Sequence, residues 1–258
     1  MSKIRMLLIV MTVCAIVAPL MAEEEEAPEM VVAKNHFVTV NSGQALEFEA
    51  AYKGHLEWHA NKNDTWSWHT WQIVNGQDFG QYIIRTGSHT WADWDEHADF
   101  SKEDSAHYLE NVSGYVKKIS STMVVADPEI SRWPEDYGMP TLVDVTVFQV
   151  NNEYNRAFYH TMEKIHKAIV EKEIPFTYSW SFVANGGEGP GPTWVLVFPF
   201  KSWTEYGDSW EPAFWKLVEE VYGDFETDLI RKMMNKAIVH QENFMAAYRE
   251  DLSYNPPE

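Results

Sequence analysis

The sequence predicts an α+β fold made of two tandem β-α-β-β-α units whose antiparallel sheets pack on each other. Three observations carry that expectation. The same landmarks occur twice in the same order, about 110 residues apart. Each set holds two aromatic, alternating segments joined by a Gly-containing turn, the mark of a hairpin. Each set also holds stretches with apolar residues at helical spacing.

The first strands are read at Phe37-Val38-Thr39-Val40, ending at Asn41, and at Val147-Phe148-Gln149-Val150, ending at Asn151. Helices follow over residues 44–61 and 153–173, which place Phe48 and Phe158 110 positions apart. Thr65-Trp66-Ser67-Trp68 and Thr177-Tyr178-Ser179-Trp180, 112 apart, open the two hairpins. Their turns are Asn75-Gly76 and the longer run from Asn185 to Pro190. Return strands over 82–85 and 194–197 lead to Trp91-Ala92-Asp93-Trp94 and Trp203-Thr204-Glu205-Tyr206. Each unit is expected to close in helix, over 102–121 in the first. In the second, helix over 211–222 stops at Gly223 and resumes over 226–249. The tails Pro128-Glu129-Ile130-Ser131 and Glu250-Asp251-Leu252-Ser253 correspond. The expected organisation is a first repeat over 36–131, a Pro-bearing linker over 132–142, and a second repeat over 143–258 with a long C-terminal helix.

Residues 1–22 read as a signal peptide. Lys3 and Arg5 supply the positive start, Met6 to Val17 is almost wholly apolar, and small residues end at Ala22. An acidic, flexible segment over 23–35 follows, beginning with Glu23 to Glu26. The apolar run is shorter than the roughly 20 residues that cross a bilayer. Export to a periplasm or the exterior is therefore expected, with no transmembrane segment left after cleavage. Cys14 lies inside this leader, so the mature chain has no thiol for disulfides, metal sites or nucleophilic catalysis. Loss of Lys3 and Arg5 takes the net charge from −19 to −21. Such a surface repels nucleic acid, which removes that class of partner.

The order and pairing of these elements resemble the dimeric α+β barrel superfamily, in which ferredoxin-like units join through their sheets. Here the pair would lie within one chain. The resemblance covers both halves and rests on topology and aromatic landmarks. The superfamily includes antibiotic-biosynthesis-type monooxygenases, haem-degrading monooxygenases, chlorite-dismutase-like haem proteins and many members without known activity, so the resemblance opens enzymatic readings without choosing among them. In the haem-using members the cofactor lies between helix and sheet, on a histidine.

The sharpest local feature is His55-Leu56-Glu57-Trp58-His59, where two imidazoles four apart share a helix face. Glu57 points away from both, so the zinc-protease pattern does not apply. With the 110-residue offset, Phe48, Tyr52, His55 and His59 correspond to Phe158, Met162, Ile165 and Ile169. The second set is an apolar stripe turned to a sheet, so His55 and His59 also look inward and need polar partners or a ligand. Alternation puts Trp66 and Trp68 on one face, with His69 and Trp71 on the other. Ser181 stands where the first unit has His69. His160, His166 and His240 form no shared constellation, and Asp93, Asp95, Glu96 and Asp99 read as a solvated acidic loop.

Tyr52, His55, His59, Trp66, Trp68 and His69 are thus the candidate ligand-binding residues, with His55 and His59 as candidate haem or metal ligands. The first expectation is a small apolar or aromatic ligand held between helix and sheet in the first unit. A haem-dependent or cofactor-free monooxygenase-like enzyme, and a non-catalytic envelope protein acting through self-association, are the alternatives.

Overall fold

The computed structural model describes residues 30–257, except 188, 190 and 209–212. The expected leader, Cys14, Glu23 to Glu26 and Glu211 lie outside the described residues.

The first unit runs β1 (Val32–Val40), α1 (Ala45–Asn61), β2 (His69–Ile73), β3 (Tyr82–His89), α2 (Trp91–Glu96), α3 (Ala98–Asn111) and β4 (Val116–Arg132). The second runs β5 (Leu142–Val150), α4 (Asn155–Glu171), β6 (Tyr178–Asn185), β7 (Thr193–Phe200), α5 (Trp203–Gly207), α6 (Phe214–Ala237) and β8 (Ile238–Tyr248). The fold is mixed α+β. Its eight strands pair antiparallel in the order β1-β3-β2-β8-β5-β7-β6-β4, with β4 returning to β1.

Three expectations need correction. Each unit ends in a fourth strand rather than in helix. The helices expected over 102–121 and 226–249 stop early, and most of residues 112–121 and 238–249 belong to β4 and β8. The β-branched residues Val116, Ile119, Thr122, Val124 and Val125, together with pairing of β4 along the whole of β1, decide for strand. The supposed flexible segment is strand from Val32 onward, because β1 needs those residues to reach both β3 and β4. Lastly, Asp93, Asp95 and Glu96 lie on α2, capped by Thr90, while Asp99 opens α3. The break expected at Gly223 is present as a kink within α6, where that residue takes φ +74°.

The turn at Asn75-Gly76 forms as expected. Gly76 has φ +89°, a region side chains avoid, and the Asn75 Oδ1 accepts the Met245 N–H at 2.6 Å. That bond ties the first hairpin to β8.

The fourth strands cross between units. β4 pairs with β6, and β8 pairs with β2. The C-terminal end of β4 and the tail beyond β8 cross as well. Ile130 is buried in the layer formed by Phe148, Phe158, Met162, Ile169 and Trp180, whereas Leu252 and Tyr254 are buried with Phe48, Tyr52, Trp68 and Tyr82. Each unit therefore completes the helix-to-sheet core of the other. Alternate residues of the same strands, including Phe37, Trp71, Ile83 and Val145, meet on the opposite face, inside the ring of strands. Each fully buried side chain of this kind contributes roughly 1.5–3 kcal/mol.

Candidate metal centre

The buried face of α1 carries Phe48, Tyr52, His55, Leu56 and His59. As expected, both imidazoles look inward and are almost fully covered, at 3% and 1% exposure. The helix ends through Asn63 in the left-handed region, φ +55°, which asparagine tolerates better than most residues. That reversal lets the Asp64 N–H donate to the His59 carbonyl at 3.0 Å and swings the Asp64 side chain back under the helix.

Asp64 is fully buried. Its Oδ2 lies 2.7 Å from His59 Nδ1 and accepts the Trp68 Nε1–H at 2.8 Å, while Oδ1 accepts the Trp66 N–H at 3.0 Å. Burial opposes its charge, but these donors hold the carboxyl below its ordinary range. A carboxylate can only accept, so the His59 proton sits on Nδ1. Tyr254, from the far end of the chain, donates its hydroxyl to the Asp64 carbonyl at 2.8 Å.

With Nδ1 so committed, His59 turns Nε2 toward α3. There His55 Nε2 lies 3.3 Å away, and Asp104 Oδ1 lies 3.0 Å from the His55 nitrogen and 3.2 Å from that of His59. The three atoms form a nearly equilateral triangle. His55 is oriented in the same fashion, its Nδ1 being 2.8 Å from Nδ1 of His107, one turn beyond Asp104 on α3. Asp104 Oδ1 is buried and has no aligned hydrogen bond, and the Tyr108 hydroxyl and His97 Nε2 are likewise buried without partners.

Ligand atoms at adjacent positions around a metal, each roughly 2.0–2.2 Å from it, lie about 3.0–3.4 Å apart. The triangle has that size. A proton on His59 would serve Asp104 poorly, since Oδ1 lies off the N–H axis and the His55 Nε2 would remain unsatisfied. Burial and the neighbouring rings lower the His55 pKa against the pull of Asp104. His59 is raised, because Asp104 and Asp64 outweigh its burial. The two imidazoles pull the Asp104 carboxyl well down despite its burial. Two nitrogen donors and one carboxylate, each nitrogen oriented by a second group through its other ring atom, is the donor set of a mononuclear transition-metal centre.

A haem does not fit this set. Its iron offers the protein only positions on opposite faces of the porphyrin, whereas the three donors here share one side of a common point. The layer is also packed with rings. Trp58, Trp68, Phe100 and Tyr254 surround His59, and Trp58, His107 and Tyr108 surround His55. The room among the donor atoms suits an ion.

The six residues singled out in the sequence fall into three places. Tyr52, His55, His59 and Trp68 share the layer under α1. Trp66 lies to one side, stacked between His89 and His97 at 3.7 Å from each ring. His69 faces the inside of the ring of strands, against Trp71 and Tyr248. Strand β2 begins only at His69, because the Trp66 N–H is taken by Asp64 and Trp68 pairs with Tyr254. Sequence reasoning missed Asp64, Asp104 and His107. Asp64 was within reach, as it aligns with Ile174 at the same 110-residue offset. Asp104 and His107 sit on a polar helix whose inner face carries no apolar stripe to reveal it.

No family model matches the chain, and no curated protein is significantly similar to it in sequence. Several solved structures share its fold. A candidate monooxygenase from Lactobacillus acidophilus NCFM is 8% identical, with a TM-score of 0.53 over 88% of this chain and 97% of its own. An anthrone oxidase-like protein is 11% identical, with a TM-score of 0.54 over 89% and 94%. A chlorite dismutase variant from Candidatus Nitrospira defluvii is 9% identical, with a TM-score of 0.52 over 88% and 93%. These neighbours are of the α+β barrel type that the sequence resembled, and at such identities the likeness concerns the fold. Among the described residues no helix is long and apolar enough to cross a membrane.

Proposed function

We propose that this chain is an exported, internally duplicated α+β barrel that binds one divalent transition-metal ion through His55, His59 and Asp104. The triangle of converging donor atoms, 3.0 to 3.3 Å on a side, carries this reading. Asp64 and His107 hold the two imidazoles so that Nε2 of each meets the ion. An ion so bound supplies Lewis acidity to whatever occupies its remaining positions. Two histidines and one carboxylate leave such positions open, as they do in non-haem oxygenases. That openness favours a second, narrower reading, a metal-dependent oxygenase acting on a small molecule. The monooxygenase and oxidase descriptions of the fold neighbours agree with it.

The mature chain, purified without metal-affinity resin, tests the proposal. Cobalt(II) titration is expected to give visible d–d absorption saturating at one ion per chain. His55→Ala, His59→Ala and Asp104→Ala should each abolish it, while His160→Ala on the exposed face of α4 leaves it intact. Absence of a saturating signal with cobalt, zinc and iron(II) alike would sink the metal reading. A metal-loaded protein that consumes no oxygen with any aromatic substrate would leave binding standing and remove the oxygenase.

A further inference from the structure

The second unit holds a cavity at the end of its helix-to-sheet layer, where the first unit is filled with rings. Its volume is about 330 Å³, at the lower end of the roughly 300–1,000 Å³ that small-molecule sites span. In the first unit Trp66 occupies the corresponding end, stacked at 3.7 Å between His89 and His97. The second unit departs from that stack in two ways. Pro175 and Phe176 are inserted between Ile174 and Thr177, whose counterparts Asp64 and Thr65 are adjacent. Lys201 stands at the His89 position, and its ammonium turns away to donate to the Tyr137 and Met139 carbonyls.

The floor is apolar and buried, made by Pro199 and Phe200 at the end of β7 and Leu217 of α6. Ile174 and Pro175 form a wall. Glu205 of α5 and Asp208 just beyond it line the exposed rim. Glu205 Oε2 accepts the Lys201 backbone N–H at 2.5 Å, which leaves its other oxygen open. Among the described residues neither carboxylate has a cationic partner within ion-pair distance. Lys201 Nζ lies instead over the Tyr137 ring, 4.1 Å from its centroid.

A second observation comes from Tyr137, on the turn Glu135–Tyr137 between the two units. It lines the cavity, yet its hydroxyl is buried without a hydrogen-bond partner. Burial and the nearby Glu205 charge push its pKa upward, so the hydroxyl stays neutral. A buried hydroxyl left unpartnered costs free energy that a ligand group would restore.

The chemistry of these groups selects the ligand. Two carboxylates without counter-charge at the mouth, on a chain of net charge −19, attract cations and repel anions. The buried apolar floor takes a hydrocarbon body. We infer that this cavity is a receptor for a small amine with an apolar or aromatic body, its ammonium held among Glu205, Asp208 and the Tyr137 hydroxyl oxygen.

Calorimetric titration of the mature chain with phenethylamine, which is protonated at neutral pH, tests the inference. Saturable one-to-one binding that weakens with added salt is expected. Phenylacetate, with the opposite charge on a similar body, should not bind. Glu205→Gln removes the charge and keeps an acceptor for the Lys201 N–H. Combined with Asp208→Asn, it should weaken the amine about tenfold or more. Tyr137→Phe separates a binding role from a structural one. Because the hydroxyl has no partner in the free protein, its removal should not lower the urea midpoint, but should weaken the amine about threefold or more. Near-ultraviolet circular dichroism reports whether each variant is folded. No amine binding by the folded chain, equal binding of phenylacetate, or an affinity indifferent to these substitutions in folded variants overturns the inference. A Tyr137→Phe variant that loses stability but not affinity overturns the role given to the hydroxyl.

Discussion

The helices α1 and α4 end on matching backbone turns under different side chains. Asn63 sits at φ +55° and Glu173 at φ +53°, followed by the Asp64 and Ile174 amides donating to His59 and Ile169 at 3.0 and 3.1 Å. On that common frame Tyr52, His55, His59 and Asp64 of the first unit stand where the second has Met162, Ile165, Ile169 and Ile174. Three polar side chains thus occupy positions that isoleucine fills in the other unit. Seven of the ten histidines likewise fall between residues 36 and 107. The apolar version shows that the fold does not need the polar one. Buried imidazoles and carboxylates are costly beside aliphatic packing, so their presence in one unit only points to a task performed there.

The sharpest way to break that comparison is to remove one member of the polar set. His59→Leu leaves the Asp64 carboxylate buried with two N–H donors and no imidazole. A loss of about 3–5 kcal/mol in urea unfolding is expected. Adding Asp64→Asn removes the stranded charge while keeping an acceptor for Trp68, and should recover about 1–3 kcal/mol of coupling. If the double variant is no more stable than the single one, Asp64 is not held by His59, and the proposed orientation of the imidazole fails with it.

Much of this was legible in the residues. The inward direction of His55 and His59 followed from Ile165 and Ile169, because an apolar stripe identifies the face turned to the sheet. The correspondence of Ile130 with Leu252 was visible too, although its meaning was not. The structure shows each of them buried in the other unit's core. What failed was local. Residues 112–121 and 238–249 look polar and helix-compatible one unit at a time, and become strands through pairing with β1 and β5, about 80 or more positions away. Such long-range pairing overrides local propensity. Asp104 was hidden because α3 is polar and carries no apolar stripe to mark the side it turns to α1.

The reverse exchange is a milder probe. Ile169→His puts an imidazole where Ile165 and Ile174 offer no acceptor, so a buried polar group is left unpaired at a cost of about 1–3 kcal/mol. Even with Ile165→His added, the second unit should bind no cobalt, because Ile174 stands at the Asp64 position and Glu226, the carboxylate that corresponds to Asp104, is half-exposed and paired with Lys164. A second cobalt site in that double variant would show that the histidine pair alone suffices, and would remove the carboxylates from the argument.

The smallest effect concerns how each unit holds the other's tail. Glu49 on α1 accepts from both terminal nitrogens of Arg249, at 2.7 and 2.8 Å, and from the Tyr82 hydroxyl at 2.7 Å. The equivalent helix position in the second unit is Tyr159, which meets Asp127 of β4 instead. The Arg249 hydrogen bonds hold the Glu49 carboxyl below its ordinary range against partial burial. A depressed carboxylate pKa adds stability that is present above the unfolded value and disappears as pH falls through the folded one. Because the pair is partly exposed, Glu49→Gln should cost only about 1 kcal/mol at neutral pH. The cost should shrink as pH falls below the ordinary carboxylate range and through the depressed folded value, where the wild-type carboxyl becomes protonated in both states. Urea midpoints for the two proteins across that range should converge on the acid side. Parallel curves would mean that the carboxylate charge does not clamp the tail, leaving Leu252 and Tyr254 to hold it by packing alone.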